Sequence, residues 1–320
     1  MRALITGASG FAGSWLCRAC LDAGDEVHGI SRSGTAPDGA SAQAVDLRDR
    51  EAVARCVRRI APEVVYHVAA LSSVGRSWAA PAETLDANVG GAIALLEALR
   101  EHAADARVVW VSSSEVYGTV AAMPIGETVA PRPESPYAVS KLAAEQLAAV
   151  YARAHRLRVV VARPFSHSGP GQRPIFLLSN IAWQAAGARR SGAPALRVTT
   201  GNGEVRRDVT DVRDVVRAYR LLAASELGGV FNVCSGATRS TAEQVDELAR
   251  QMSDVDIEHV VDPELVRASE VMELRGDPGR LRAATGWAPR IPFAQTLADT
   301  LAYWDRELAR PGKDAARPAS

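Results

Sequence analysis

The sequence predicts an α/β fold, a doubly wound parallel sheet carrying a smaller mixed α/β domain, and three observations point there. Short β-rich runs alternate with amphipathic helical stretches over the first half of the chain, a glycine-spaced turn closes the first strand–helix step, and the rhythm breaks after Pro164. Alternation of this kind means βαβ units, whose crossover helices cover both faces of a parallel sheet.

The elements follow in order. Residues 3–6 read as a strand, 13–23 as a helix and 26–31 as the next strand. A helix over 50–60, a strand over 64–68, a helix over 82–102 and a strand over 107–112 continue the series, and a helix over 136–155 and a strand over 158–162 complete it. Beyond Pro164 come a Gly-, Pro- and Ser-rich stretch (165–173), a helix over 175–186, a basic loop (189–192) and a glycine turn (201–204) before 205–214. The strand 230–233 reads as a late return to the sheet.

The turn Thr6-Gly7-Ala8-Ser9-Gly10-Phe11-Ala12-Gly13 follows a strand and opens a helix, which is the context a dinucleotide-binding, Rossmann-type fingerprint requires. Gly7 permits the tight turn, Gly10 lets the backbone approach a diphosphate, and Gly13 allows close packing of the helix, whose amino end then faces the phosphates. The second strand ends in Ser31-Arg32-Ser33, where an NAD site would place an acid on the adenosine ribose. A cation and hydroxyls suit a 2′-phosphate, so NADP(H) is expected over NAD(H). Asp46 and Leu47, after a third short strand, are expected on the adenine side. Residues 1–165 are expected to form the dinucleotide-binding domain, with 205–235 returning to it. Segments 166–204 and 236–308 would build the substrate-binding domain, and 309–320 a disordered polar tail.

Composition narrows the partners. The 320 residues carry 37 Lys plus Arg against 37 Asp plus Glu, so no basic excess exists for nucleic acid or an acidic membrane. No apolar run approaches the roughly 18 residues of a membrane span, and a strand starts at once where a signal peptide would stand, so the chain reads as cytoplasmic. Cys17 and Cys20 form a C-x-x-C within the first helix, with no second pair or histidine at ligand spacing, and Cys56 and Cys234 stand apart. They read as small buried hydrophobes, and no metal is expected.

Lysine occurs twice, at Lys141 and at Lys313 in the tail, although arginine is abundant. The one lysine of the folded body is therefore expected to do what a guanidinium cannot, because an ammonium is compact and tunable. It closes the motif Tyr137-Ala138-Val139-Ser140-Lys141 behind Pro136, a residue suited to a helix start. Positions four apart share a helix face, and an adjacent ammonium is expected to lower the phenol pKa and make Tyr137 a usable acid or base. The strand over 107–112 runs into Ser112-Ser113-Ser114-Glu115 at the edge where cofactors sit. One serine is expected to hold a substrate oxygen beside Tyr137, with Ser112 capping the strand and Glu115 acting as a base or binding a sugar hydroxyl.

With these motifs in place, the chain is similar to the extended short-chain dehydrogenases/reductases that act on nucleotide sugars, from Arg2 to about Leu308. Thr-Gly-x-x-Gly-x-x-Gly, Ala69-Ala70-Leu71-Ser72-Ser73-Val74, Ser-Ser-Glu-Val-Tyr-Gly, Tyr-x-x-x-Lys, Arg163-Pro164, Gly169-Pro170-Gly171-Gln172 and the segment Arg207 to Asp214 carry the resemblance. It implies that Ser113 is the catalytic serine. It also implies that Phe11, Ala12, Ala69, Ala70, Asn88 and Pro164 line the cofactor, with Asn88 beside the nicotinamide. Arg207 would contact a nucleotide diphosphate, and Ser73, Ser114, Arg267 and Glu270 would lie on the substrate side. Ser166 stands where relatives carry the Asn that touches the sugar nucleotide. Ser77-Trp78, Arg267-Ala268-Ser269-Glu270-Val271 and Gly286-Trp287-Ala288-Pro289-Arg290 resemble the GDP-mannose branch, and Phe11-Ala12 in the first turn favours its GDP-4-keto-6-deoxy-mannose reductases over its 4,6-dehydratases. The implied activity is NADPH-dependent reduction of the 4-keto group of a GDP-linked 6-deoxy-hexulose. The alternative is a dehydratase or 4-epimerase that retains its NAD(P). A homodimer joined by the helices over 82–102 and 136–155 is implied as well.

Overall fold

The computed structural model describes residues 1–266 and 271–310. Its strands in chain order are β1 (Arg2–Thr6), β2 (Glu26–Ser31), β3 (Ser41–Ala44), β4 (Val64–His67), β5 (Arg107–Val111), β6 (Arg158–Pro164) and β7 (Ser166–Ser168). The others are β8 (Ala195–Thr200), β9 (Arg206–Asp211), β10 (Gly229–Val233), β11 (Thr238–Ser240), β12 (Asp256–Val261) and β13 (Glu273–Leu274). The helices are α1 (Phe11–Leu21), α2 (Arg50–Ile60), α3 (Val74–Ala79), α4 (Pro81–Leu85), α5 (Gly91–His102) and α6 (Pro136–His155). They continue with α7 (Leu177–Ser191), α8 (Val212–Ala224), α9 (Thr241–Gln251), α10 (Gly279–Thr285) and α11 (Phe293–Ala309).

Contacts divide the chain into two units. The first comprises Met1–Phe165, Val215–Val233 and Asp277–Ala288. It is built on a seven-stranded sheet in the order β10-β6-β5-β4-β1-β2-β3, parallel throughout. Every residue of β4 and β5 is buried, as expected of central parallel strands covered on both faces. One face packs Leu4, Val65, Val108, Trp110 and Val161 against Val53 and Val57 of α2, Leu95 and Leu99 of α5 and Ala144 and Ala148 of α6. All four cysteines are buried and outside any disulfide, and burial pushes the Cys17 thiol up to about 12 and that of Cys20 to about 11. Their burial matches the reading of these residues as small buried hydrophobes.

The second unit holds Ser166–Asp214, Cys234–Gly276 and the chain from Pro289 onward. There β9 pairs with β7, β11 and β13, while β8 and β12 form a separate parallel pair. Leu178, Ile181 and Ala185 of α7, Val245 and Leu248 of α9 and Leu297 and Leu301 of α11 build its core.

Three expectations need correction. The return to the first unit begins at Val215, not 205, because β9 makes its ladder with β7, β11 and β13 and α8 starts at Val212. Residues 277–288 also belong to the first unit, where Arg280 of α10 lies over the Phe231 ring of β10 at 4.7 Å. The stretch 82–102 is not one helix: a π-helical turn over Asp86–Gly90 separates α4 from α5. Its wide turn carries Asn88 inward to bonds that a regular α-helix leaves to chance.

Candidate active site

The glycine turn is fixed by sterics. Gly7 has φ +73°, and a Cβ there would stand 2.9 Å from the Ala69 Cα, so the turn presses directly on the segment after β4. At Gly13 a Cβ would come 2.1 Å from the Gly7 carbonyl oxygen, so the first turn of α1 lies on the glycine loop itself. Gly10 is the N-cap of α1, no side chain caps it, and the first turn, which holds Phe11 and Ala12, has no acid. This end of the helix carries positive potential with nothing local to neutralise it, which fits a diphosphate. Ala69 and Ala70 stand half-buried beside the turn.

Thr6 ties β1 to β4 at that edge. Its Oγ1 accepts from the backbone N–H groups of Val68 and Ala69, each at 3.1 Å, so its own proton goes to His67 Nδ1 at 3.0 Å. His67 is therefore the Nε2–H tautomer. Burial, helped by the Lys141 charge, lowers its pKa to about 3 and keeps it neutral.

The end of β2 differs from expectation. The Ser31 hydroxyl donates to the Thr35 carbonyl at 3.1 Å and accepts from the Thr35 N–H, so it builds its own loop instead of pointing outward. Arg32 and Ser33 stay exposed and keep the cation and hydroxyl that suit a 2′-phosphate. The Asp46 carboxylate is gripped by Arg48, Nη2 to Oδ2 at 2.6 Å, which with further Arg48 bonds lowers its pKa to about 2. Leu47 packs where a Cβ on Gly91 would meet it at 2.9 Å.

The reactive pair sits at the start of α6. Ser135 caps the helix by accepting from the Ala138 N–H at 3.1 Å, and Pro136 occupies the first turn. Ser113 ends the extended segment after β5 and accepts the Glu115 N–H at 3.2 Å. The Ser113 hydroxyl and the Glu115 carboxylate both lie close enough to the Tyr137 phenol to act on its ionisation. Asn88 locks this corner. Its Oδ1 accepts from Leu71 N at 2.8 Å, and its Nδ2 donates to Leu71 O at 3.2 Å and to Ser140 Oγ at 2.8 Å. Ser140 in turn donates to the Tyr137 carbonyl at 2.7 Å.

The expected depression of the phenol is overturned. Burial pushes the Tyr137 pKa up to about 12, Ser113 partly opposes this, and Glu115 adds to it. Lys141 does not offset it because its ammonium turns inward and donates to the Val111 carbonyl at 2.5 Å. Burial lowers Lys141 to about 8, against the pull of Glu145. Burial thus shapes both groups, and Tyr137 is a phenol, a proton donor, throughout the neutral range.

The remaining candidates fall as follows. Ser112 does not cap its strand by side chain: its N–H bonds the Ala162 carbonyl at 2.7 Å and its buried Oγ has no partner among the described residues. The Ser73 hydroxyl caps α3 by accepting from Arg76 N at 3.2 Å. Ser114 is buried in a short 3-10 turn, and Pro164 ends β6. In the second unit Ser166 is exposed at the start of β7, and Arg207 donates to the carbonyls of Val271 and Arg206 at 2.8 and 2.9 Å. Arg267 and Glu270 lie outside the described residues. Sequence reasoning missed His67, Ser140 and the pair Glu145–Arg163. The first marks the carboxyl end of a central strand, and Glu145 repeats the four-residue step from Lys141. Among the described residues no group of His, Cys, Asp and Glu is placed to hold a metal ion.

The model of the GDP-mannose 4,6 dehydratase family matches residues 4–300. The chain is 41% identical over 250 residues, 77% of its length and 82% of the relative's, to GDP-6-deoxy-D-mannose reductase of Pseudomonas aeruginosa. It is 30% identical over 333 residues to GDP-mannose 4,6 dehydratase 1 of Arabidopsis thaliana, covering 97% of this chain and 91% of that one. Among solved structures, RMD from Pseudomonas aeruginosa complexed with NADPH superposes with a TM-score of 0.85 at 35% identity, over 96% of this chain and 100% of that one. A dinucleotide turn, a buried Ser–Tyr–Lys set and a family match spanning nearly the whole length agree, and the chain belongs to the GDP-mannose 4,6-dehydratase family.

Proposed function

We propose that this chain is an NADPH-dependent oxidoreductase that reduces the 4-keto group of a GDP-linked 6-deoxy-hexulose. The observation that carries the reading is Tyr137, buried near the start of α6 beside Ser113 and kept protonated by that burial across the neutral range. A reductase needs a group that gives a proton, and this one has a proton to give at any physiological pH. The 41% identity to a GDP-6-deoxy-D-mannose reductase and the fold shared with an NADPH complex support the same conclusion.

NADPH, when bound over the glycine turn, would supply the hydride for the carbonyl carbon. Gly7, Gly10, Phe11, Ala12 and Gly13 would hold its diphosphate, Arg32 with Ser33 the 2′-phosphate, and Asp46, Leu47, Ala69, Ala70, Asn88 and Pro164 the rest. Ser113 orients the keto oxygen by a hydrogen bond, and Tyr137 protonates that oxygen as it becomes an alcohol. Lys141 would provide a cation beneath the site for the bound ribose hydroxyls. Arg207 would take the nucleotide diphosphate, and Ser73, Ser114, Ser166, Arg267 and Glu270 the sugar. The exposed Val139 and Val150 of α6, 43% and 46% accessible, support assembly of a homodimer through this helix. The absence of a long apolar helix among the described residues is compatible with a place in the cytoplasm.

One observation favours a second reading. The half-buried Glu115 carboxylate beside the phenol could serve as the base of a 4,6-dehydratase. Incubation with NADPH and a GDP-4-keto-6-deoxy sugar separates the two. Loss of one NADPH per GDP-deoxyhexose formed is expected; no NADPH loss, together with conversion of GDP-mannose to a keto sugar, replaces reductase by dehydratase.

A further inference from the structure

Beneath the catalytic pair lies a buried ion pair that the proposed reaction does not use. Glu145 stands on α6 one turn beyond Lys141, at the spacing that places two side chains on one helix face. It is 2% exposed, and Arg163 of β6 is 3% exposed. Arg163 Nε donates to Glu145 Oε2 at 3.0 Å, and its Nη2 makes a second bond to Oε1. The guanidinium lies over the Tyr117 ring, 4.7 Å from the centroid, and the Tyr117 hydroxyl donates to Asn232 at 2.7 Å. Held at both oxygens by a fixed partner, the carboxylate cannot turn away.

A buried ion pair is a poor device for stability, because apolar residues of similar volume often serve as well. Its position suggests an electrostatic role. Lys141 is 4% exposed and bonds a neutral carbonyl, that of Val111 on β5. Neutral His67 on β4 lies within reach of its charge, the Tyr137 phenol shares its helix face, and Asn88 on the π-helical turn bonds the neighbouring Ser140. The acids of the adjoining helices are engaged elsewhere: Glu97 of α5 with Tyr151 and Arg100, Glu83 of α4 with Arg76, and Asp86 with Arg48. Glu115, after β5, acts on the Tyr137 phenol, and among the described residues Glu145 is the carboxylate whose charge acts on the ammonium.

We infer that Glu145, locked in place by Arg163, is a positioning residue that keeps Lys141 in its charged form. This rests on the reading of Lys141 as part of the active site, yet the charge can be read with neither cofactor nor substrate. The sequence contains two lysines, Lys141 and Lys313, so protein labelled with carbon-13 at the lysine ε-carbon gives two resonances, and Lys313→Arg assigns them. The Lys141 resonance of the native chain should titrate near pH 8. In Glu145→Gln its midpoint should fall by about one pH unit or more, the size of effect expected of a nearby opposite charge. Should that variant fold poorly, Glu145→Leu with Arg163→Met exchanges the pair for apolar volume and should show the same fall with its Tm retained. An unchanged midpoint in both variants overturns the inference. So does a fall confined to Glu145→Gln, which would belong to the stranded Arg163 cation. Where the resonance moves but the native chain reduces no keto sugar, the charge device stands and the reductase reading falls.

Discussion

Replacing Tyr137 by Phe removes one oxygen and the proton it carries while keeping the ring that fills the corner. The phenol titrates near 12, five units above neutrality, so only roughly one molecule in 10⁵ is ionised at pH 7. Every native molecule therefore holds the proton that the keto oxygen must receive, and the variant holds none. Loss of a positioned general acid costs about 10²–10⁴-fold, or about 2.7–5.4 kcal/mol of transition-state stabilisation at about 1.36 kcal/mol per tenfold. The structural cost is small by comparison: the polar contacts of one hydroxyl beside Ser113, about 0.5–1.5 kcal/mol, which displaces Tm by a few degrees at most. The expected result is a fall in kcat of at least about 100-fold, followed by NADPH absorbance, with NADPH affinity and Tm close to native. A variant that retains more than about a tenth of native turnover refutes the assignment, since it would show that water or Ser113 can donate as well. The pH profile gives an internal control. With the phenol near 12 and Lys141 near 8, a basic limb near pH 8 belongs to the lysine and should move when Lys141, not Tyr137, is perturbed.

Three further outcomes follow from the geometry. Gly13→Ala places a Cβ 2.1 Å from the Gly7 carbonyl oxygen. It should cost about 1–3 kcal/mol in urea unfolding and weaken NADPH binding, whereas Gly187→Ala in α7, with nothing within 4 Å and an ordinary φ, should be neutral or stabilising by about 0.5–1 kcal/mol. Asn88→Ala strips the partners from the Leu71 backbone and from Ser140 and should lower stability by about 2–4 kcal/mol, with kcat falling more than NADPH affinity. His67 has a folded pKa near 3, below its unfolded value of 6.5, so the folded state binds fewer protons between those limits. Its contribution to stability is present above pH 6.5 and lost as pH falls towards 3, and His67→Asn should flatten the acid side of the stability profile in urea titrations.

The parts of the molecule legible in the sequence are those set by local geometry. A parallel strand buried on both faces reads as a nearly continuous apolar run, as in Val64-Val65-Tyr66 and Val108-Val109-Trp110-Val111. A turn pressed to within 3 Å of another backbone must be glycine, as at Gly7. What depended on position within the fold was not legible. Ser31 and Asp46 have suitable chemistry, but one spends its hydroxyl on Thr35 and the other its carboxylate on Arg48, choices set by loop closure. The ladder that draws β9 to β7, β11 and β13 is likewise nonlocal, and it moved the unit boundary from 205 to Val215.

The pair Tyr137–Lys141 shows where the two kinds of information separate. A step of four residues is a local fact, and it places phenol and ammonium on one face. The sign of a pKa shift is not local, because it depends on how much water each group loses. Both groups lost nearly all of it, so the phenol rose and the ammonium fell, opposite to what proximity alone predicts for the phenol. Taken one step further, the same period reaches Glu145, and that residue was in plain view. What turns it from an exposed helix acid into a fixed charge is Arg163, 18 residues later, brought beneath it by β6. A period can nominate three side chains on one face, but only the strand passing under them decides which keeps its charge.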